Sequence, residues 1–379
     1  MCAVRHKVEL HKQADPHTCG SPNFDVLDTR RVQRLQQEVA LLSALRPAAM
    51  AGFPLLPALY DFGTYNSGRR AFVALTWVPG TDLRSRLAAS EQNVLPVQVA
   101  RFFTAEVLLA LEVIHDAGFV YRDLKPENVM VNELSKHCVL IDFDLAVPRP
   151  ETSEDDLWAA TPIDEAFKAA DEFDAAAPDE LSPPPSRRGS HEWPGGVGSW
   201  TGSSPAIHAV TGMPLRVAGT AEYAAPEVVA GCCHGVAADT WQVGVLLYEL
   251  LFGVTPFARN RPAAGTVGEA PMGLTPAHTS HDRLFRCIRG AALRFPDAAD
   301  TEGELETAAR DLLRAMLRRT FAPSDPRVRL QEADVRDHAF FRGLDWDTLP
   351  YEPPPVDIPP ARIKGSAMNL ADLALGLED

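Results

Sequence analysis

The stretch "VYRDLKPENVMVN" at residues 120–132, followed by "VLIDFDLAV" at 139–147, constrains this chain more than any other feature. Two short apolar runs, "NVMV" and "CVLIDF", flank the polar turn "NELSKH", which is the signature of a β-hairpin. The polar residues around the hairpin match the needs of phosphoryl transfer. That reaction asks for a base to orient an attacking hydroxyl and for hard oxygen ligands that hold Mg²⁺ against phosphates. Asp123 supplies the first, and Asn128 and Asp142 supply the second. Lys125 can neutralise charge on the transferring phosphate.

Composition sets the class. At 379 residues the chain holds one large or two modest domains, and 46% apolar with 23% charged residues is ordinary for a globular protein. A net charge of −15 argues against nucleic acid or anionic membrane as a general partner. Much of the excess lies between Glu151 and Glu180, where eleven acidic residues face the single Lys168. The six cysteines show neither C-x-x-C pairs nor histidines at zinc spacing, so they read as free thiols in a reducing compartment. The first residues turn polar within six positions and are not expected to act as a signal peptide, and the most apolar stretch, Trp241 to Phe257, contains Glu249 and is too short to span a bilayer. The expectation is a soluble, cytoplasmic monomer.

Along the chain, residues 1–78 combine strand-like runs ("CAVRHKV", "RAFVALTWV") with one helix near Arg30 to Leu45, where Val32, Leu35, Val39 and Leu42 fall at helical spacing. Residues 79–135 read as helix, most clearly in "VARFFTAEVLLALEVIHDAG", with Gly118 at the place of a C-terminal cap glycine. Residues 148–210 are rich in Pro, Ala, Gly, Ser, Asp and Glu and read as a disordered insertion. The chain reads as helical and apolar again from Leu215 to about Gly343, and 346–379 reads as a Pro-rich tail.

Taken in order, "YRDLKPEN", "DFD" and "AAPE" resemble a eukaryotic protein kinase. The stretch "GTAEYAAPEVVAGCCHGVAADTWQVGVLLYELLFGVTPF" is similar to the AGC group of serine/threonine kinases. Asp144 in place of the usual glycine, the long insertion before "AAPE", and "LLYELLFGVTPF" resemble the plant and algal branch that includes phototropins. The resemblance implies an α+β, two-lobed kinase fold. A truncated small lobe with an antiparallel sheet (residues 1–78) would sit on a mainly helical large lobe (79–147 and 211–345).

The resemblance also implies ATP and Mg²⁺ as cofactors and protein serine or threonine as acceptor, the last through Lys125 and Thr220. Arg5, Glu38, Leu75, Trp77, Val78 and Met130 fall on ATP-binding positions: Glu38 is the helix glutamate, Leu75 the gatekeeper, Trp77 and Val78 the hinge. Leu42, Leu59, Tyr121 and Phe143 fall on the apolar spine that couples the lobes, Glu227 and Arg329 on a buried ion pair, and Asp239 on a support of the catalytic loop. Asp82, Glu127 and Glu249 fall on docking positions for arginines upstream of the acceptor. Val217, Thr220, Ala221 and Ala224 fall on the segment that would hold the following residue. The insertion's own "RRGS" places Arg187 and Arg188 before Ser190.

Departures from the pattern matter equally. Arg5 stands where the family carries lysine, and arginine is a planar fork rather than a compact ammonium. No G-x-G-x-x-G occurs, and the small lobe is expected to start at its third strand. Arg216 stands where a phosphorylatable residue is usual, so Arg122 lacks its phosphate partner. Two readings stand beside each other: an active kinase with a truncated gene model, or a pseudokinase that serves as a binding module. A small-molecule phosphotransferase fits less well, because the peptide-docking segment is present.

Overall fold

The run that opens the chain is a strand, β1 (Cys2–Glu9), at one edge of a three-stranded antiparallel sheet. The computed structural model describes residues 2–9, 26–65, 70–149, 220–230, 235–258, 276–296, 303–319, 329, 332–354, 356 and 358. The insertion read at 148–210, apart from its first two residues, and the tail beyond residue 358 lie outside these, as do Arg187, Arg188, Ser190, Arg216 and Val217.

The sheet runs β1-β3-β2, with β2 at Leu59–Tyr65 and β3 at Arg70–Thr76. Val73 and Leu75 of the central strand are buried, while Tyr60 and Phe62 on the edge strand β2 are exposed. Leu75 sits opposite both Ala3 and Leu59, and Arg5 opposite Val73. Helix α1 (Val26–Ala44) begins four residues before the expected start. Its buried stripe is Glu38, Leu41 and Leu42, continued by Leu45 just past its end, with Leu35 and Val39 partly buried beside it. Spacings of three and four put these on one face, as an amphipathic helix requires.

The large lobe begins differently from expectation. Residue 79 onward was expected as helix, but Gly80–Asp82 forms a short strand, β4, paired with β6 (Val129–Asn132). Three residues are too few to show an alternating pattern. A side chain at Gly80 has no room: a Cβ there would lie 1.8 Å from the Val131 carbonyl oxygen. Asp82 then caps α2 (Leu83–Ala89), accepting from the Ser85 N–H at 2.8 Å. Helix α3 (Val97–Asp116) is buried along most of its length and is followed by Gly118 at φ +82°, a conformation open to glycine.

The expected hairpin is present. Strand β6 pairs with β7 (Cys138–Leu140) in the register Val129↔Leu140, Met130↔Val139. A two-stranded pair, β5 (Phe119–Val120) with β8 (Val147–Pro148), closes the region. The loop from Tyr121 to Asn128 is therefore strung between β5 and β6, and Asp142 follows β7 directly. Beneath lies α4 (Val236–Phe252), buried on nearly every residue, packed against α3. Helices α5 (Pro276–Gly290) and α6 (Glu304–Met316) complete the lobe, α6 packing against α4.

One apolar core runs through both lobes. Leu42, Leu59, Tyr121 and Phe143 are all buried in it, and the Tyr121 and Phe143 rings meet edge-on at 5.9 Å. The Leu140 N–H donates to the Leu55 carbonyl at 2.9 Å, tying the hairpin to the segment that follows α1.

Candidate active site

From Tyr121 to Lys125, ahead of a single 3-10 turn at Pro126–Asn128, the loop has no regular structure to hold it, so side chains must satisfy its amides. Asp239, fully buried on α4, accepts from the Tyr121 and Arg122 N–H groups, both at 2.8 Å. Its Oδ2 also lies 2.8 Å from His115 Nε2 at the end of α3. Three residues along α4, Gln242 accepts from the Leu124 N–H at 3.0 Å and donates to the Arg122 carbonyl at 3.0 Å. These bonds hold Arg122 at φ +74°, a strained conformation for a side-chain-bearing residue. Positions three apart share a helix face, so Asp239 and Gln242 act as one clamp. The sequence reading singled out Asp239 and missed Gln242 and His115. The signal for Gln242 was available as a polar residue three positions on in an otherwise apolar helix.

The clamp fixes Asp123. Its Oδ2 accepts from Lys125 Nζ at 2.6 Å and from Asn128 Nδ2 at 3.0 Å. Asn128 Nδ2 also donates to the Asp123 carbonyl at 2.9 Å. Among the described residues the buried Asp123 Oδ1 has no hydrogen-bond partner. A carboxylate with one oxygen anchored and the other bare can accept a proton from an incoming hydroxyl. Burial pushes the Asp123 carboxyl above the ordinary range. The bonds to Lys125 and Asn128 oppose that shift, and the charge of Asp142 adds to it.

Asp142 is held at φ +69° just after β7, and the neighbouring Ile141 N–H donates to the Asn128 carbonyl at 2.9 Å. The hairpin register thus carries Asp142 back to Asn128. With Asn128 Nδ2 committed to Asp123, its side-chain Oδ1 and the Asp142 carboxylate are the hard-oxygen donors this region could offer. Among the described residues no three His, Cys, Asp or Glu side chains gather into a metal cage. Two protein oxygens suit an ion that keeps waters and takes its other ligands from phosphates. The donor set therefore fits Mg²⁺. Burial, then the charge of Asp142, also raises the Asp144 carboxyl, and Arg34 on α1 reaches it at 3.7 Å.

The other residues expected at an ATP site are placed by their elements. Glu38 is buried on α1, Leu75 on β3 and Val78 just beyond it; Met130 is half-buried on β6, and Trp77 is largely exposed. Arg5 is placed on β1 by its backbone.

The docking residues divide. Glu127 and Glu249 meet on a single guanidinium, that of Arg84 on α2. Arg84 Nε donates to Glu127 Oε1 at 2.9 Å, Nη1 to Glu249 Oε1 at 2.6 Å and Nη2 to Glu249 Oε2 at 3.3 Å. The Tyr223 hydroxyl also donates to Glu249, which ties in the segment carrying the exposed Thr220, Ala221 and the buried Ala224. Asp82 instead spends both oxygens on Ser85. Arg84 was not foreseen in sequence. Nothing at residue 84 signals a contact with residue 249, which the tertiary structure brings within reach of the Arg84 side chain once α2 packs on the Pro126–Asn128 turn.

A family model for the protein kinase domain matches residues 28–163 and 202–341. Curated relatives include protein kinase PINOID of Oryza sativa subsp. japonica, 35% identical over 339 residues, covering 87% of this chain and 61% of the relative. Serine/threonine-protein kinase OXI1 of Arabidopsis thaliana is 31% identical over 316 residues, 80% of this chain and 64% of its own length. Serine/threonine-protein kinase WAG1 of the same plant is 32% identical over 345 residues, 88% and 60% respectively. The chain thus spans somewhat under two thirds of the length of these relatives.

Proposed function

The chain belongs to the protein kinase family, and from that premise we propose that it transfers the γ-phosphate of ATP to serine or threonine hydroxyls of protein substrates. The observation that carries this reading is Asp123, anchored through one oxygen by Lys125 and Asn128, with the other oxygen bare. Mg-ATP, when bound, supplies the phosphoryl group and the cation that neutralises its charge. Asn128 and Asp142 would hold the cation, and Glu38, Leu75, Trp77, Val78 and Met130 would border the nucleotide. The chain's own work is positional. Asp123 Oδ1 orients the acceptor hydroxyl and takes its proton, while Lys125 sits beside it to offset charge on the transferred group.

Glu127 and Glu249 are the carboxylates at which an arginine upstream of the hydroxyl would dock were Arg84 not already bonded to both, and Ala221 and Ala224 offer the following residue a small apolar wall. A monomer acting in the cytoplasm is part of this reading; among the described residues Cys138 and Cys287 are free thiols, and no helix is long and apolar enough to cross a membrane. Arg5, in place of lysine, favours one second reading: a binding module that keeps the fold without turnover.

The test is transfer of labelled γ-phosphate by the full chain with Mg²⁺. Asp123→Asn is expected to lower kcat/KM by about 10²–10⁴, the usual contribution of a positioned base. Transfer unaffected by Asp123→Asn would overturn the assignment. No transfer at all, with intact nucleotide binding, would favour the binding module.

A further inference from the structure

The Glu127–Glu249 pair is already engaged by a cation of the chain itself. Arg84 presents its guanidinium edge-on to Glu249 through two N–H groups and reaches Glu127 with a third. A forked arginine on a carboxylate is the geometry a substrate arginine would adopt there. Glu249 has little left to offer. Its side chain is 6% exposed, one oxygen takes Arg84 Nη1, and the other is shared by Arg84 Nη2 and the Tyr223 hydroxyl. Arg84 itself is 41% exposed, so it lies at the mouth of the site, where a peptide would arrive. Burial alone would lower its proton affinity, but the bonds and charges of Glu249 and Glu127 more than reverse that, and the cation is permanent.

An arginine of a bound peptide and Arg84 compete for the same lone pairs. Exchange of one guanidinium for another brings no net Coulombic gain, because the same contacts are made before and after. The internal competitor also has an advantage in concentration: a tethered group acts as if present at millimolar level or above, whereas a substrate is dilute.

We propose that Arg84 is a specificity-determining residue that fills the upstream-arginine position of this chain from within, muting its selection for arginine-bearing substrates. The inference rests on the kinase reading for the identity of the peptide, but not on turnover. In this chain an arginine two or three residues before the acceptor adds little to affinity, and removal of Arg84 uncovers the site.

The test is nucleotide-free titration of the full chain, by fluorescence anisotropy, with labelled peptides R-R-A-S and A-A-A-S set in otherwise identical sequence. For the unaltered chain the two are expected to bind within about threefold of one another. Arg84→Ala is expected to tighten the arginine peptide at least about tenfold, which equals about 1.4 kcal/mol, and to leave the alanine peptide unchanged. Adding Glu249→Gln to Arg84→Ala is expected to abolish the gain. Arg84→Gln, which keeps hydrogen-bond donors for both glutamates, gives the same result should the alanine variant melt early. The proposal is overturned if the unaltered chain already prefers the arginine peptide tenfold. It is equally overturned if neither folded variant gains that preference. Failure of phosphoryl transfer would defeat the kinase reading while leaving these binding ratios to stand or fall alone.

Discussion

Asp123 shows how burial and function pull against each other in one side chain. Its carboxyl is pushed above the ordinary aspartate range by burial, and the Asp142 charge reinforces the shift despite the bonds from Lys125 and Asn128. A base must be ionised to act, so activity is lost as pH falls through its folded value. The acid limb of kcat/KM is therefore expected above the pH of about 3.9 at which an ordinary aspartate titrates. A pH–rate profile checks this, and a limb at or below that value counts against Asp123 as the base. The stability linkage has the opposite sense. A carboxyl raised on folding favours the native state while protonated. Its contribution is complete below the unfolded pKa and is lost as pH rises through the folded one. The neighbouring Arg122 is lowered to about 10, mainly by burial, with Asp239 opposing and Arg34 contributing to the fall. It stays cationic at neutral pH.

At the scale of elements, α4 builds the site from below. Asp239 and Gln242 hold four backbone groups of the Tyr121–Leu124 loop, and Arg122 keeps its left-handed conformation because they do. Asp239→Asn leaves an acceptor for at most one of two amides and turns an N–H towards the other. A loss of about 3 kcal/mol in urea unfolding is expected, from a charge-assisted bond lost and a buried donor orphaned. Strand β4 gives a second case. At Gly80 a methyl group would sit 1.8 Å from a backbone carbonyl oxygen of β6, and no side-chain rotation relieves a clash with backbone. Gly80→Ala is expected to break the β4–β6 pairing and shift Asp82, with a fall in thermal midpoint of several degrees. A melting curve identical to that of the unaltered chain would show that β4 can move aside at little cost.

For the molecule as a whole, the large lobe depends on a buried pair far apart in sequence. Arg329 donates to both oxygens of Glu227, at 2.8 and 3.0 Å, and to the carbonyls of Ala237 and Arg318. Its guanidinium also lies over the Trp241 ring, which stacks on Phe257. Both side chains are fully buried. Removing one partner leaves the other charge desolvated and alone, so Glu227→Gln is expected to cost about 3–5 kcal/mol in urea unfolding. Replacing both with apolar residues of similar volume is expected to cost much less. Equal losses for the single and double variants would show that the pair itself, rather than the orphaned charge, supplies the stability.

How much of this was legible follows from the range of the forces involved. The helical stripe of α1, the hairpin β6–β7 and the glycine after α3 are local. Each is set by side-chain periodicity or backbone freedom within a few residues, and the sequence alone determined them. The sequence alone also marked Asp123, Lys125, Asn128 and Asp142 as the residues proposed for the chemistry, because they stand within 20 residues of one another and are of the types phosphoryl transfer asks for. The tertiary structure alone decided which groups meet across long separations. Gln242 reaches a loop 118 residues away, and Arg84 reaches Glu249 across 165. It also decided what those meetings cost and permit. An acidic residue reads in sequence as an open docking charge, but whether a cation of the same chain already neutralises it depends on where the tertiary structure sets α2, which packs on the Pro126–Asn128 turn. That is fixed by burial of apolar faces, a force that carries no sequence address.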